Sequence, residues 1–186
     1  FDKIISSSVI KHGFEYTFEN ILFRFMEKAG MLWQTGGVYP AQEHFISQLI
    51  RQKLILAIDS QNEQRPDNKT FLLFLPENEY HELGLLYLNF LIRKQGHTVV
   101  YLGQNVPLVN LKNVLSGHKI DFLLTSIASN LPVETIVEIV QELNSLYGDK
   151  QVLIGGHCFL GNEVSLPPNF TLFKNVSDFT EFLNTL

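Results

Sequence analysis

The chain has little cysteine, methionine and tryptophan, with one, two and one of each among its 186 residues. Cys158 alone forms no internal disulfide, and a single cysteine excludes a cysteine-rich zinc site. No apolar run reaches the roughly 18 residues that a membrane helix needs. The N-terminus also lacks the pattern of a signal peptide. We therefore expect a cytoplasmic protein that does not enter a membrane.

Positive charge is scarce as well, because 14 Lys and Arg stand against 19 Asp and Glu and the formal net charge is −5. Proteins that grip a nucleic-acid backbone usually present a basic face. We therefore expect this chain not to bind DNA on its own. Its hydrophobic share of 45%, with 15 phenylalanines, is instead typical of a protein that buries a proper core.

The hydrophobic pattern divides the chain into a helical part and an α/β part. Within 1–60 the apolar residues recur at helical spacing, and the breaker 35–37 separates a helix over 15–31 from one that begins near Pro40. We expect a short helical bundle of two or three helices there. Residues 61–69 contain no large apolar side chain and are predicted to form a linker.

Strand-like and helix-like segments alternate over 70–186. This alternation is typical of a parallel, doubly wound sheet with helices on both faces. Ligands of such sheets bind beyond the carboxyl ends of the strands, where the strand order switches. The predicted strands are 70–75, 98–102, 121–125, 151–154 and 170–173, and the predicted helices are 79–95, 108–116, 133–147 and 176–183.

A spaced motif follows the ends of three predicted strands. Glu79-Tyr80-His81-Glu82-Leu83-Gly84 comes first; 41 residues later stands Ser126-Ile127-Ala128, and 26 residues after that stands Gly155-Gly156. A neutral imidazole is a good metal ligand, and a carboxylate that accepts its other N–H orients the ring. A glycine pair lets a flat group pass close to the backbone, and a serine offers a hydroxyl to a buried nitrogen.

This motif resembles that of cobalamin-binding domains of the methionine-synthase type, which carry Asp-x-His-x-x-Gly, a serine and a glycine pair at such spacings. The resemblance implies that 70–186 form a five-stranded, doubly wound parallel domain (Rossmann- or flavodoxin-like) that binds cobalamin. It implies that His81 is the lower cobalt ligand and that Glu79 orients its ring. The other cofactor-binding residues that it implies are Gly84, Ser126, Gly155 and Gly156, the last three around the displaced tail of the cofactor.

The helical part carries a second resemblance. Trp33 is followed ten residues later by Glu43-His44, as in light- and cobalamin-responsive repressors of the MerR class, whose bundle caps the upper face of the corrin. The resemblance implies that Trp33, Glu43 and His44 contact the cofactor, with adenosylcobalamin favoured. It also implies a sensor rather than an enzyme, a homo-oligomer, and DNA binding only through a helix-turn-helix domain outside this chain.

Two other interpretations stay open. One is the corrinoid-carrying part of a methyltransferase or mutase, and the other is a regulator domain that kept the fold and no longer binds cobalamin. Three departures from the family patterns favour the latter: Glu79 replaces the usual aspartate, Ala128 replaces Leu or Thr, and Gln34 replaces the histidine of light sensors. His157 and Cys158 are interpreted as loop and packing residues, because two adjacent ligands make a poor metal site.

Overall fold

The structure is a computed structural model that describes residues 1–34 and 39–186, except for the side chains of Trp33 and Gln34. The chain divides into two compact units, Phe1–Ala57 and Ile58–Leu186. Within the described ranges, none of the helices combines the length and the apolar character needed to cross a lipid bilayer.

The first unit is helical. Gly13 ends its first helix because a φ of 87° lies in the left-handed region that favours glycine. The Thr17 hydroxyl donates to the Gly13 carbonyl at 2.8 Å and lies 2.9 Å from the Ser8 hydroxyl, which fixes this corner. The elements are α1 (Asp2–His12), α2 (Phe14–Thr17), a π-helical turn (Phe18–Leu22), α3 (Phe23–Gln34) and α4 (Pro40–Asp59).

Two features of this unit differ from the sequence prediction. The predicted helix over 15–31 is a run of three segments, with the π-helical turn in its middle, and α1 precedes it as a further helix. Pro40 is the first residue of α4, as predicted, because its fixed φ suits a first helical turn. The predicted breaker at 35–37 lies outside the described residues.

The second unit contains a five-stranded parallel sheet of order β2-β1-β3-β4-β5. The strands are apolar on both sides, as expected where helices cover both faces of a parallel sheet. The predicted α/β class is therefore confirmed. The strands are β1 (Thr70–Pro76), β2 (Thr98–Val106), β3 (Phe122–Ser126), β4 (Gln151–Gly155) and β5 (Phe170–Phe173).

Helices lie on both faces of the sheet. On one face, buried residues of α6 and α7, such as Leu111 and Val140, join Leu72 and Ile154 in the main core. On the other face Phe182 of α8 meets Phe122 with 5.5 Å between ring centroids, and α5 contacts β1 and α8. These helices are α5 (Glu82–Lys94), α6 (Leu111–Gly117), α7 (Val133–Tyr147) and α8 (Val176–Leu183), with 3-10 turns at Leu108–Asn110 and His157–Phe159.

The loops after β1 and β2 differ from the prediction. The helix predicted from residue 79 begins at Glu82, because Asn78 adopts a φ of 66° and the backbone N–H of Asn105 donates to the Glu79 carbonyl at 3.1 Å. The strand predicted to end at 102 continues to Val106 through positive φ at Gly103 and Asn105. The first change lengthens the loop after β1, and the second extends β2 as far as Val106, the register partner of Pro76.

The strand order switches at β1, which pairs with β2 on one side and with β3 on the other. The helices that follow β1 and β3, α5 and α7, lie on opposite faces of the sheet, and ligands of such sheets bind at the switch point between them, beyond the carboxyl ends of β1 and β3. The residues that follow these two strands are therefore the first candidates for a ligand site.

Candidate functional site

Glu79 is a buried carboxylate directly after β1, and its side chain is only 3% exposed. Its Oε1 accepts from His81 Nδ1 at 2.6 Å and from the His81 backbone N–H at 3.0 Å. Its Oε2 accepts from the backbone N–H groups of Ala128 and Ser129 at 2.9 and 2.8 Å. One carboxylate thus joins the loop after β1 to the loop after β3.

These donors keep Glu79 ionised. Burial alone would raise the pKa of Glu79, but the hydrogen bonds from the His81 ring and from the Ser129 and His81 backbones outweigh it and lower the pKa from 4.5 to about 2. An ionised carboxylate is only an acceptor, so the proton of this pair sits on His81 Nδ1. In the neutral ring, the basic lone pair is then on Nε2.

His81 combines an exposed ring with a buried partner. Its side chain is 67% exposed, and Ser129 Oγ lies 3.4 Å from Nδ1. A carboxylate behind an imidazole orients metal-binding histidines and raises their basicity. No group of three or more His, Cys, Asp or Glu in the described ranges could hold a metal ion. An exposed imidazole whose Nδ1 is bonded to Glu79 fits a metal ion whose other ligands come from a bound group, as in a corrin.

Gly84 lies three residues after His81, on the first turn of α5, and is exposed. A Cβ added there would have no heavy atom within 4 Å among the described residues, apart from its own chain neighbours and helix backbone. The fold itself therefore does not require glycine at this position. A low surface beside His81 suits the approach of a flat ligand.

Ser126 and Gly155 are register partners at the carboxyl ends of β3 and β4. A Cβ on Gly155 would lie 2.4 Å from the Phe173 ring, and one on Gly156 would lie 2.2 Å from the Ile127 carbonyl oxygen. Gly156 also has a φ of 117°, which side chains rarely allow. Packing within the unit is thus sufficient reason for both glycines, whether or not a ligand is bound.

The predicted cap residues lie in the first unit. Glu43 is in the first turn of α4, and its carboxylate lies 3.4 Å from the His44 ring; these side chains are 41% and 76% exposed. Trp33 belongs to α3. Its side chain lies outside the described residues.

Several residues of the site were not predicted from the sequence. The backbone N–H groups of Ala128 and Ser129 bind Glu79, and backbone donors leave no side-chain signature. Asn105 accepts through Oδ1 from the Asn78 N–H at 2.9 Å, and both residues have positive φ. Asparagine tolerates that region, so two asparagines after neighbouring strands were a usable signal for shaped loops.

Cys158 and His157 do not form a second centre. Cys158 is buried in the main core, and its burial, followed by the nearby Glu79 carboxylate, raises the pKa of its thiol to about 12. His157 is exposed. The thiol therefore stays protonated near neutral pH and packs as a small apolar group.

Known families match most of the chain. A family model described as a B12 binding domain matches residues 70–165, and a second model with the same description matches residues 2–57. The chain belongs to the B12 binding domain family. The resemblance inferred from the spaced motif is therefore confirmed.

Two curated relatives are transcriptional repressors of Myxococcus xanthus. The HTH-type transcriptional repressor CarH is 33% identical over 113 residues, which are 60% of this chain and 37% of CarH. The HTH-type transcriptional repressor CarA is 27% identical over 143 residues, which are 77% of this chain and 48% of CarA. The chain spans less than half the length of either repressor.

Solved structures show the same fold. The monomethylamine corrinoid protein of Methanosarcina barkeri superimposes with a TM-score of 0.77 at 14% identity, over 99% of this chain and 90% of its own. The methanol:cobalamin methyltransferase complex MtaBC of Methanosarcina barkeri gives a TM-score of 0.53 at 15% identity, over 97% of this chain and 70% of its own. At such identities the likeness concerns the fold alone.

Proposed function

We propose that this B12 binding domain is the sensor part of a MerR-class transcription regulator, in which cobalamin held by His81 controls self-association. The Glu79–His81 pair carries the proposal. Its carboxylate is buried, ionised and bonded to four N–H donors, and it holds an exposed imidazole in one orientation and one tautomer. That arrangement suits a single protein ligand to a cobalt ion.

The departure from the family's aspartate does not weaken this role. The longer Glu79 reaches His81 at 2.6 Å and still meets the loop after β3. The departure at Ala128 is also compatible with it, because this residue contributes its backbone N–H to Glu79. Both positions are therefore compatible with a domain that binds its cofactor.

The residues proposed to contact the cofactor have different roles. His81 would hold the cobalt ion, Glu79 would fix the His81 ring, and Ser126 would offer a hydroxyl to the tail of the cofactor. In the helical unit, Trp33, Glu43 and His44 would contact the cofactor, as the resemblance implies. When bound, adenosylcobalamin supplies a cobalt–carbon bond whose presence or loss is the signal.

A sensor is favoured over a corrinoid-carrying subunit of an enzyme. Trp33 with Glu43-His44 occurs here at the spacing found in MerR-class sensors. The relatives CarH and CarA are named as repressors, and each matches at higher identity than the corrinoid proteins do. Accordingly, we expect no methyl transfer by this chain.

The direct test is the absorption spectrum of purified protein mixed with adenosylcobalamin. We expect wild type to bind it with the tail displaced and imidazole on cobalt, and His81→Ala to lose the features of imidazole ligation. His118→Ala is the matched control, because His118 is exposed and follows α6, at the opposite edge of the sheet. Identical spectra for wild type and His81→Ala would show that His81 is not the ligand to cobalt. Absence of binding by wild type would point to a domain that has lost its cofactor.

A further inference from the structure

The first unit contains a groove that the cobalamin site does not use. It is an open surface depression of about 560 Å³ along α1, α2 and the π-helical turn, and most of the side chains around it are exposed. The described residues that line it come from the stretch 3–21, and those that matter for binding are Lys3, Ser7, Ser8, Lys11, His12 and Tyr16. The groove is therefore local to one short stretch of chain.

The groove is cationic. Lys3 and Lys11 line it, and among the described residues that line it none carries a carboxylate. The acidic neighbour of Lys3 in sequence, Asp2, is engaged elsewhere, because its Oδ1 lies 3.1 Å from Lys53 Nζ. A concave surface with two ammonium groups and no carboxylate attracts anions.

Helix geometry brings these donors to one point. Lys3, Ser7 and Lys11 are four residues apart, so they lie on one face of α1 with Ser7 one turn from each lysine. A lysine side chain spans about one helical turn, and that of Lys11 leans toward Ser7 while that of Lys3 would have to turn toward it, so an anion at Ser7 would have an ammonium group within reach on either side. Ammonium and hydroxyl groups are hydrogen-bond donors that suit phosphate oxygens.

The remaining walls are rigid and partly apolar. Ser8 is held by Thr17, whose own hydroxyl donates to Gly13, and this pair ties α1 to α2. The rings of His12 and Tyr16 lie 4.9 Å apart and tilted by 35°, forming a short aromatic wall. Such a wall offers a stacking surface for a flat organic group.

We propose that this groove binds a small organic phosphate, with the phosphate at Lys3, Ser7 and Lys11 and a flat group against His12 and Tyr16. A nucleoside monophosphate has this chemistry. The site would give the helical unit a second input that is independent of cobalamin.

Calorimetric titration of the whole chain with adenosine 5′-monophosphate tests the site. We expect saturable binding that weakens as salt is added, and a Kd at least about tenfold higher in Lys3→Ala/Lys11→Ala, because two charge-assisted contacts are lost. Lys28→Ala/Lys119→Ala is the control, since it removes the same charge from exposed positions outside the groove. His81→Ala should bind the nucleotide as wild type does.

Other outcomes overturn the proposal. Absence of saturable binding, or equal loss in both double variants, would mean that the groove is not a phosphate site. If adenosine bound as tightly as adenosine 5′-monophosphate, Lys3 and Lys11 would have no role in binding a phosphate. Duplex DNA that binds through Lys3 and Lys11 more tightly than the mononucleotide would assign the surface to nucleic acid instead. Thermal unfolding of each variant checks that the fold is retained, and we expect little change because these side chains are exposed.

Discussion

Glu79 is the residue whose replacement reports most directly on the site. Glu79→Gln keeps the shape but turns an amide N–H₂ toward groups that are themselves donors. We expect a loss of about 1–3 kcal/mol in the free energy of unfolding near neutral pH, because hydrogen bonds to a buried charged group are lost. Urea unfolding measures this, with Glu77→Gln, an exposed glutamate of the same loop, as the control.

The same pair predicts a pH dependence. The pKa of Glu79 is lowered from 4.5 to about 2 in the folded protein, so its contribution to stability is present above 4.5 and is lost as pH falls toward about 2. Wild type and Glu79→Gln should therefore converge in stability on acidification. A difference that stays constant between about pH 6 and pH 3 would show that the carboxylate charge does not matter.

His97 provides a second prediction on pH. Its Nδ1 accepts from the Lys69 backbone N–H at 3.1 Å, and its Nε2 is buried with no hydrogen-bond partner among the described residues. Burial first, and then the charge of Arg65, lower the pKa of His97 below 6.5; Asp67 opposes this and Lys69 adds to it. The neutral ring thus stabilises the fold fully above 6.5, and this stability is lost as pH falls below that value.

The test is a comparison of wild type with His97→Gln, which keeps an acceptor for the Lys69 N–H. We expect the variant to lose less stability than wild type between about pH 7.5 and pH 5.5, where one pKa unit is worth about 1.4 kcal/mol. Equal losses of stability in both proteins would assign the pH dependence to other histidines.

The region around Arg65 in the predicted linker belongs to the second unit, because the Arg65 backbone N–H donates to the Gly96 carbonyl.

At the scale of elements, a substitution at the start of α5 can test cofactor binding without disturbing the fold. Gly84→Ala adds a methyl group that meets no described heavy atom within 4 Å beyond its chain neighbours and its own helix backbone, and alanine favours a helix by up to about 1 kcal/mol. We expect unchanged or slightly higher stability and a clear loss of cobalamin affinity, measured by absorbance titration. Gly117→Ala is the control, because Gly117 ends α6 at the opposite edge and is equally open. Equal affinity in both variants would mean that the ligand does not approach α5.

Substitutions of Gly155 or Gly156 cannot separate an effect on cofactor binding from an effect on folding. At Gly156 an added Cβ would overlap the Ile127 backbone at a φ of 117°, so a substitution would destabilise the unit by more than the roughly 1–3 kcal/mol of backbone strain alone. Loss of cofactor in such a variant would follow from loss of structure. A position such as Gly84, where the fold leaves space for a side chain, is therefore the better test of cofactor binding.

The sequence predicts the strands well and the loops poorly, for a physical reason. β5 and α8 match the prediction at both ends, because apolar blocks bounded by polar residues are local signals. The predicted helix includes Glu79, whereas in the structure the carboxylate of Glu79 bonds to backbone groups 49 and 50 residues away. Long-range hydrogen bonds of this kind override local propensity. The motif nevertheless predicts Glu79 and His81 as a pair, and their side chains are 2.6 Å apart.

The helical unit was harder to predict than the sheet. Several of its large apolar side chains are exposed, such as Ile10 at 88% and Phe45 at 66%. They blur the helical period that a buried face would produce. The π-helical turn at Phe18–Leu22 also interrupts the spacing of what otherwise reads as one helix.

For the molecule as a whole, the exposed apolar surface of the helical unit predicts self-association. Phe45 and Leu56 are each 66% exposed, and eleven residues on a helix bring side chains back to nearly the same face of α4. Exposed apolar patches of this kind commonly mark contacts between proteins. We expect the chain to associate, and Phe45→Ser/Leu56→Ser to weaken the association without unfolding the unit.

A cofactor shifts such an equilibrium only by binding one assembly better than another. We expect sedimentation velocity to show a larger species with adenosylcobalamin in darkness than without it, and a return toward the smaller species after illumination breaks the cobalt–carbon bond. His81→Ala is the control: because it weakens cofactor binding, its sedimentation should respond less. A monomer under every condition would contradict the switch, and an assembly that is indifferent to the cofactor would indicate that this domain serves as a scaffold. Since Gln34 occupies the position of the light sensors' histidine, we expect the response to light to be weaker than the response to the cofactor itself.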